Sequence, residues 1–106
     1  MSWEVCLYAK HGNVDVIQCS NYTYNVVLMY KKAGIPEGSL NDLDWTPAKK
    51  MAEILAPVIA YMKSHPQEMI ALSPSNDWDC YDGALLFLER IYNACRKYPR
   101  RIVGVS

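Results

Sequence analysis

Two stretches of this chain carry side chains whose types and spacing could do chemistry. The first is Asn76-Asp77-Trp78-Asp79-Cys80-Tyr81-Asp82-Gly83. Asp77, Asp79 and Asp82 place three carboxylates close together, an oxygen-donor set suited to Mg²⁺ or Ca²⁺. The calcium-loop pattern D-x-[DN]-x-[DN]-G is not met, because Tyr81 stands at its fifth position and Gly83 comes one residue late. Acids at the start of a helix also have an ordinary role, which is to offset the positive end of its dipole. Trp78 and Tyr81 flank the acids and would wall a small ligand or anchor a partner. Equally, Trp78 would staple the helix start. Gly83 costs a helix roughly 1 kcal/mol against alanine. Close approach of a ligand or of another backbone would explain it.

The second stretch is Asn21-Tyr22-Thr23-Tyr24-Asn25. It falls at an expected strand-to-helix junction, where backbone N–H groups point outward and can hold an anion. Its amides and hydroxyls would read a polar ligand, whereas capping alone needs one or two of them. The candidate binding set is therefore Asn21, Tyr22, Thr23, Tyr24, Asn25, Asn76, Trp78, Asp79, Tyr81 and Asp82. No catalytic residue, metal ligand or cofactor is assigned. His11 sits on an expected turn and His65 before a proline, and no Ser/His/Asp or Cys/His grouping is evident. Glycine-rich phosphate loops are absent. Lys49 and Lys50 open an expected helix against its dipole and would either meet a phosphate or stay solvated.

These side chains need elements to position them. Tyr81, Ala84, Leu85, Leu88, Tyr92 and Cys95 fall on one face of a helix that runs to Tyr98 and is stopped by Pro99. Residues 2–9 and 14–20 read as strands around His11-Gly12-Asn13. A two-residue Gly12-Asn13 turn pairs Lys10 with Asp15, Tyr8 with Ile17 and Cys6 with Cys19. Residues 22–33 read as a helix capped by Asn21 or Thr23 and closed by Gly34. Residues 35–45 read as a loop. Thr46 caps the next helix, with Pro47 at its first position. Pro57 should kink or break that helix near Glu53–Pro57. Gln67–Leu72 is one short turn, and Arg101–Val105 is a strand that joins the hairpin. The order β-β-α-α-α-β implies an α+β domain over residues 1–106. Its hairpin and C-terminal strand form a three-stranded sheet, with three helices packed against it.

Composition bounds the function. The chain has 106 residues, 51% hydrophobic, with zero net charge. That supplies a core but no basic footprint for non-specific nucleic-acid binding. No apolar run approaches the roughly 18 residues of a membrane span. The N-terminus lacks signal-peptide character, so the cytoplasm is the simplest compartment. There Cys6, Cys19, Cys80 and Cys95 are expected as reduced thiols, with Cys6 and Cys19 adjacent and able to close under an oxidant.

The N-x-T-x-N junction of Asn21, Thr23 and Asn25, the Met29 and Ala33-Gly34 positions, the tract Leu72-Ser73-Pro74-Ser75-Asn76, Trp78, Tyr81, Asp82-Gly83 and the ending Val103-Gly104-Val105-Ser106 carry a resemblance. On these features the chain resembles a loose group of small phage- and prophage-encoded proteins, mostly without assigned function. It differs at Tyr24, where that group has histidine, and at Asp77 and Asp79, where it has glycines. The resemblance implies a small accessory protein of phage or mobile-element origin.

Three readings of function follow. One is a non-enzymatic binding protein that engages a host protein or a small polar ligand between the 21–25 junction and the 76–83 loop. Another is a small metal-assisted hydrolase or nucleotide-processing enzyme that uses the same cleft. The third is an assembly protein whose aromatic surface makes oligomers. A cleft joining the clusters favours the first two, and a flat exposed apolar patch favours the third.

Overall fold

The computed structural model describes residues 2–8, 16–23, 26–73 and 78–106. In chain order these form β1 (Ser2–Tyr8), β2 (Val16–Thr23), α1 (Val27–Ala33), β3 (Thr46–Pro47), α2 (Ala48–Ser64), α3 (Pro66–Ala71), α4 (Trp78–Lys97) and β4 (Ile102–Val105). Two short 3-10 turns, Pro36–Gly38 and Leu40–Leu43, precede β3. The fold is α+β, as the element pattern implied. The sheet runs β2-β1-β4-β3, with every neighbouring pair antiparallel. The two-residue β3 is a fourth strand beyond the three expected.

The hairpin register holds over most of its length. Ser2 through Leu7 face Thr23 through Gln18, and Cys6 faces Cys19. The register then shifts by one residue, so Tyr8 faces Val16 and not Ile17. An extra residue inserted in one strand bends it and increases its twist. The turn itself and the Lys10–Asp15 pair lie outside the described residues. The C-terminal strand docks on β1 as expected, with Leu7 opposite Val103 and Tyr8 opposite Ile102. Mutual backbone hydrogen bonds between Glu4 and Ser106 extend that ladder.

Alternation divides the faces of the sheet. Trp3, Val5 and Leu7 point into the main core, together with Val103 and Val105. Cys6 is buried on the opposite face, where it is disulfide-bonded. Cys80 and Cys95 stay outside any disulfide. The expected free thiol at Cys6 is thus corrected, and the physical reason is the register. A facing strand pair brings Cα atoms to about 4.5–5.5 Å, a separation a disulfide can span.

The helix starts differ from expectation. Residues 21–23 belong to β2, and α1 begins only at Val27, with no side-chain cap. Ladder partners on β1 for Asn21, Tyr22 and Thr23 outweigh a local capping role. The expected apolar face survives, since Val26, Met29, Tyr30 and Ala33 are buried. Gly34 closes α1 in a left-handed conformation at φ 121°, and its N–H donates to the Tyr30 and Lys31 carbonyls. The 35–45 connection is anchored by buried Ile35, Leu40 and Leu43.

Thr46 does not cap α2. Its hydroxyl donates to the Leu43 carbonyl at 2.6 Å. The first N–H groups of α2 are met by distant backbone instead: Ala48 donates to Arg101 O and Lys49 to Pro99 O. The helix then runs unbroken through Pro57, so no break and restart occurs. Pro57 is exposed, and it leaves only the Glu53 carbonyl without its usual intrahelical donor. Burial of Met51, Leu55, Val58, Ile59 and Met62 along the other face offsets that loss.

Candidate ligand-binding groove

α4 is the long helix that the apolar periodicity implied. Tyr81, Ala84, Phe87, Leu88, Ile91, Ala94 and Cys95 are buried along it. It lies antiparallel to α2. At one end the Tyr81 hydroxyl donates to the Met62 carbonyl at 2.7 Å, and Lys63 pairs with Glu89 at 3.0 Å. At the other, the first turn of α2 meets the 99–101 segment that follows α4. Tyr30 ties α1 to the pair by donating to the Ala84 carbonyl at 2.9 Å, and its ring stacks on Trp3.

This antiparallel pairing leaves a groove of about 590 Å³ at the α2 N-terminal end. Its walls are Lys49, Ala52, Glu53 and Ala56 from α2, Tyr92, Cys95 and Arg96 from α4, and Pro99 and Arg100 beyond it. The lining combines small or apolar residues with three cations and one carboxylate. Ala52 and Ala56 have no bulk to fill the space beside Tyr92, which explains why the groove stays open. The volume lies within the roughly 300–1,000 Å³ typical of small-molecule sites.

The lining cations are available. The ion pairs found among the described residues use other lysines: Lys31 with Glu37, Lys32 with Glu68 and Lys63 with Glu89. Arg96 is held in place by its neighbour one turn back. Its Nη1 donates to the Tyr92 hydroxyl at 3.0 Å, and its guanidinium carbon lies 5.7 Å from the ring centroid. Such an arrangement fixes a charged fork before any anion arrives. Cys95 is the one thiol in the groove, and burial pushes its pKa up to about 12. Burial therefore disfavours its thiolate, the form that acts as a nucleophile.

The described members of the expected site lie at the end of β2 and along the start of α4. Asn21, Tyr22 and Thr23 end β2, opposite Glu4, Trp3 and Ser2. Trp78 and Asp79 form the first turn of α4. Tyr81 is buried with its hydroxyl on Met62, and burial, followed by the nearby Asp82 and Glu89 charges, raises its pKa. Asp82 is exposed. Tyr24, Asn25, Asn76 and Asp77 lie outside the described residues, and so does the proposed junction of the two clusters. Among the described residues no group of three or more His, Cys, Asp or Glu comes together to hold a metal. None of their helices is long and apolar enough to cross a membrane.

The groove was missed from the sequence, where Lys49 reads only as a lysine opposing the dipole of its helix. That Lys49 and Arg96 line one groove depends on how α2 and α4 pack. The local signal was the run Lys49, Ala52, Glu53 and Ala56, spaced i, i+3, i+4 and i+7 beside the core stripe of α2. No protein family model, curated protein or solved structure was found to match the chain.

Proposed function

We propose that this chain is a non-enzymatic binding protein, of phage or mobile-element origin, that takes a small anionic ligand in the groove between α2 and α4. The observation that carries the reading is that Lys49, Arg96 and Arg100 all line that groove, together with Ala52, Ala56 and Tyr92. Two guanidinium groups and an ammonium supply the donors that bind and orient an anion. The origin rests on the resemblance at the 21–25 and 72–83 stretches. A backbone-amide titration by NMR with benzoate and phenyl phosphate tests the reading. Shifts should centre on Lys49, Ala52, Arg96 and Arg100, with no phenol released from phenyl phosphate. Shifts confined to residues 21–23 and 78–82 would return the site to the polar clusters, and phenol release would make the protein a hydrolase.

One observation favours engagement of a host protein as a second reading. Trp45 is 68% exposed and sits at φ 64°, a conformation costly for a bulky side chain. Its turn is clamped by its own N–H on Val103 O and by Thr46 on Leu43 O. A rigidly presented, exposed indole is the usual anchor of a protein interface. Trp45→Ala should then abolish capture of the host protein without altering anion binding.

A further inference from the structure

We infer that the anion held by the groove is the dianion of a phosphomonoester carrying a flat ring, the chemistry of an aryl phosphate or a nucleoside monophosphate. The inference rests on the small-anion reading above and narrows it. Lys49, Arg96 and Arg100 against Glu53 give the lining a net charge of +2. A phosphomonoester carries about −1.5 to −2 near pH 7, whereas a carboxylate carries only one negative charge. Charge balance against this lining therefore favours phosphate over carboxylate. The donor count points the same way. Two guanidinium forks and an ammonium can share three phosphate oxygens, while a carboxylate offers two.

The rest of the groove describes the body of the ligand. Ala52 and Ala56 present only methyl groups, and the Tyr92 ring is half-buried beside them. A planar ring fits a slot with one aromatic wall and one smooth, small-residue wall. Glu53 is the one carboxylate in the lining, and no ion pair among the described residues neutralises it. It accepts hydrogen bonds only, so it would take a hydroxyl or amino donor from the ligand body. That feature separates a nucleoside monophosphate from a plain aryl phosphate.

Calorimetry on the whole chain with phenyl phosphate, adenosine 5′-monophosphate, adenosine, benzoate and inorganic phosphate tests the inference. Phenyl phosphate should bind about ten-fold or more tighter than benzoate, the effect of one additional charge-assisted contact. Adenosine 5′-monophosphate should bind at least as tightly as phenyl phosphate, and adenosine and inorganic phosphate more weakly than either. Arg96→Gln and Arg100→Gln, both at exposed positions, should each weaken phenyl phosphate about ten-fold with an unchanged circular dichroism spectrum. Glu53→Gln should spare phenyl phosphate and weaken only the nucleotide. Equal affinity for benzoate and phenyl phosphate would overturn the phosphate assignment and leave the small-anion reading intact. Inorganic phosphate binding as tightly as phenyl phosphate would overturn the ring. Failure of benzoate, phenyl phosphate and the nucleotide alike to bind would overturn the inference and the small-anion reading together.

Discussion

Replacing Gly38 with alanine tests the packing of α1 against the turn that follows it. Gly38 sits at φ 70°, and its N–H donates to the Ile35 carbonyl at 2.9 Å. Two costs arise on adding a Cβ. The left-handed backbone alone costs roughly 1–2 kcal/mol for a residue with a side chain. In addition, the new methyl would overlap the backbone carbonyl of Val27, in the first turn of α1, and would crowd the Val27 side chain. A carbonyl within a helix cannot swing aside as a side chain can. The overlap therefore has to be relieved by shifting either the turn or the start of α1, at about 1–3 kcal/mol for overpacking. Together these predict a loss of roughly 2–5 kcal/mol, a large part of the 5–15 kcal/mol that stabilises an ordinary domain. Urea denaturation followed by far-UV circular dichroism measures it. Gly104→Ala is the matched control. The atoms nearest its Cβ would belong to the half-buried Tyr8 ring, a side chain and not a backbone carbonyl, and no positive φ is involved. Gly38→Ala should therefore be clearly the worse of the two. A loss at Gly38 below about 0.5 kcal/mol, or one no larger than that at Gly104, would refute the close approach to Val27.

Other expectations are shorter. Leu88 is fully buried on the core face of α4, so Leu88→Ala should cost roughly 2–5 kcal/mol in the same denaturation assay. The hydrogen bond from Tyr61 at 2.9 Å, aided by Lys32, lowers the Glu68 pKa. Its stabilisation is thus present above the ordinary carboxylate pKa and lost as pH falls through the lowered value. Glu68→Gln should flatten that acid limb of the stability profile, and an unchanged profile would count against the Tyr61–Glu68 bond. With Cys6 in a disulfide and Cys80 and Cys95 outside any, alkylation of the denatured, unreduced protein should add two labels, where four would show that Cys6 is reduced.

What could be read from the sequence followed from local periodicity. α4 was legible because its apolar residues recur at helical spacing and Pro99 ends it. The hairpin register from Ser2 to Leu7 matches a count outward from an assumed Gly12-Asn13 turn, whose own residues lie outside those described. The shift at Tyr8 was not legible, because a bulge leaves no residue-type signature at Ile17. The start of α1 was misplaced because Asn21 and Thr23 are good caps, whereas pairing with β1 is a tertiary preference. The same limit hid the α2 cap, which is supplied by the Pro99 and Arg101 carbonyls from the far end of the chain. The candidate groove lies wholly on that tertiary level. Lys49 and Arg96 are 47 positions apart and come to line one groove only through the antiparallel packing of α2 and α4.

The most direct measurement of the central claim is a crystal structure of the protein grown with phenyl phosphate. The phosphate should be seen against Lys49, Arg96 and Arg100, with the ring lying along Ala52 and Ala56 beside Tyr92. Phosphate density at the β2 end and the start of α4, with the α2–α4 groove empty, would contradict it.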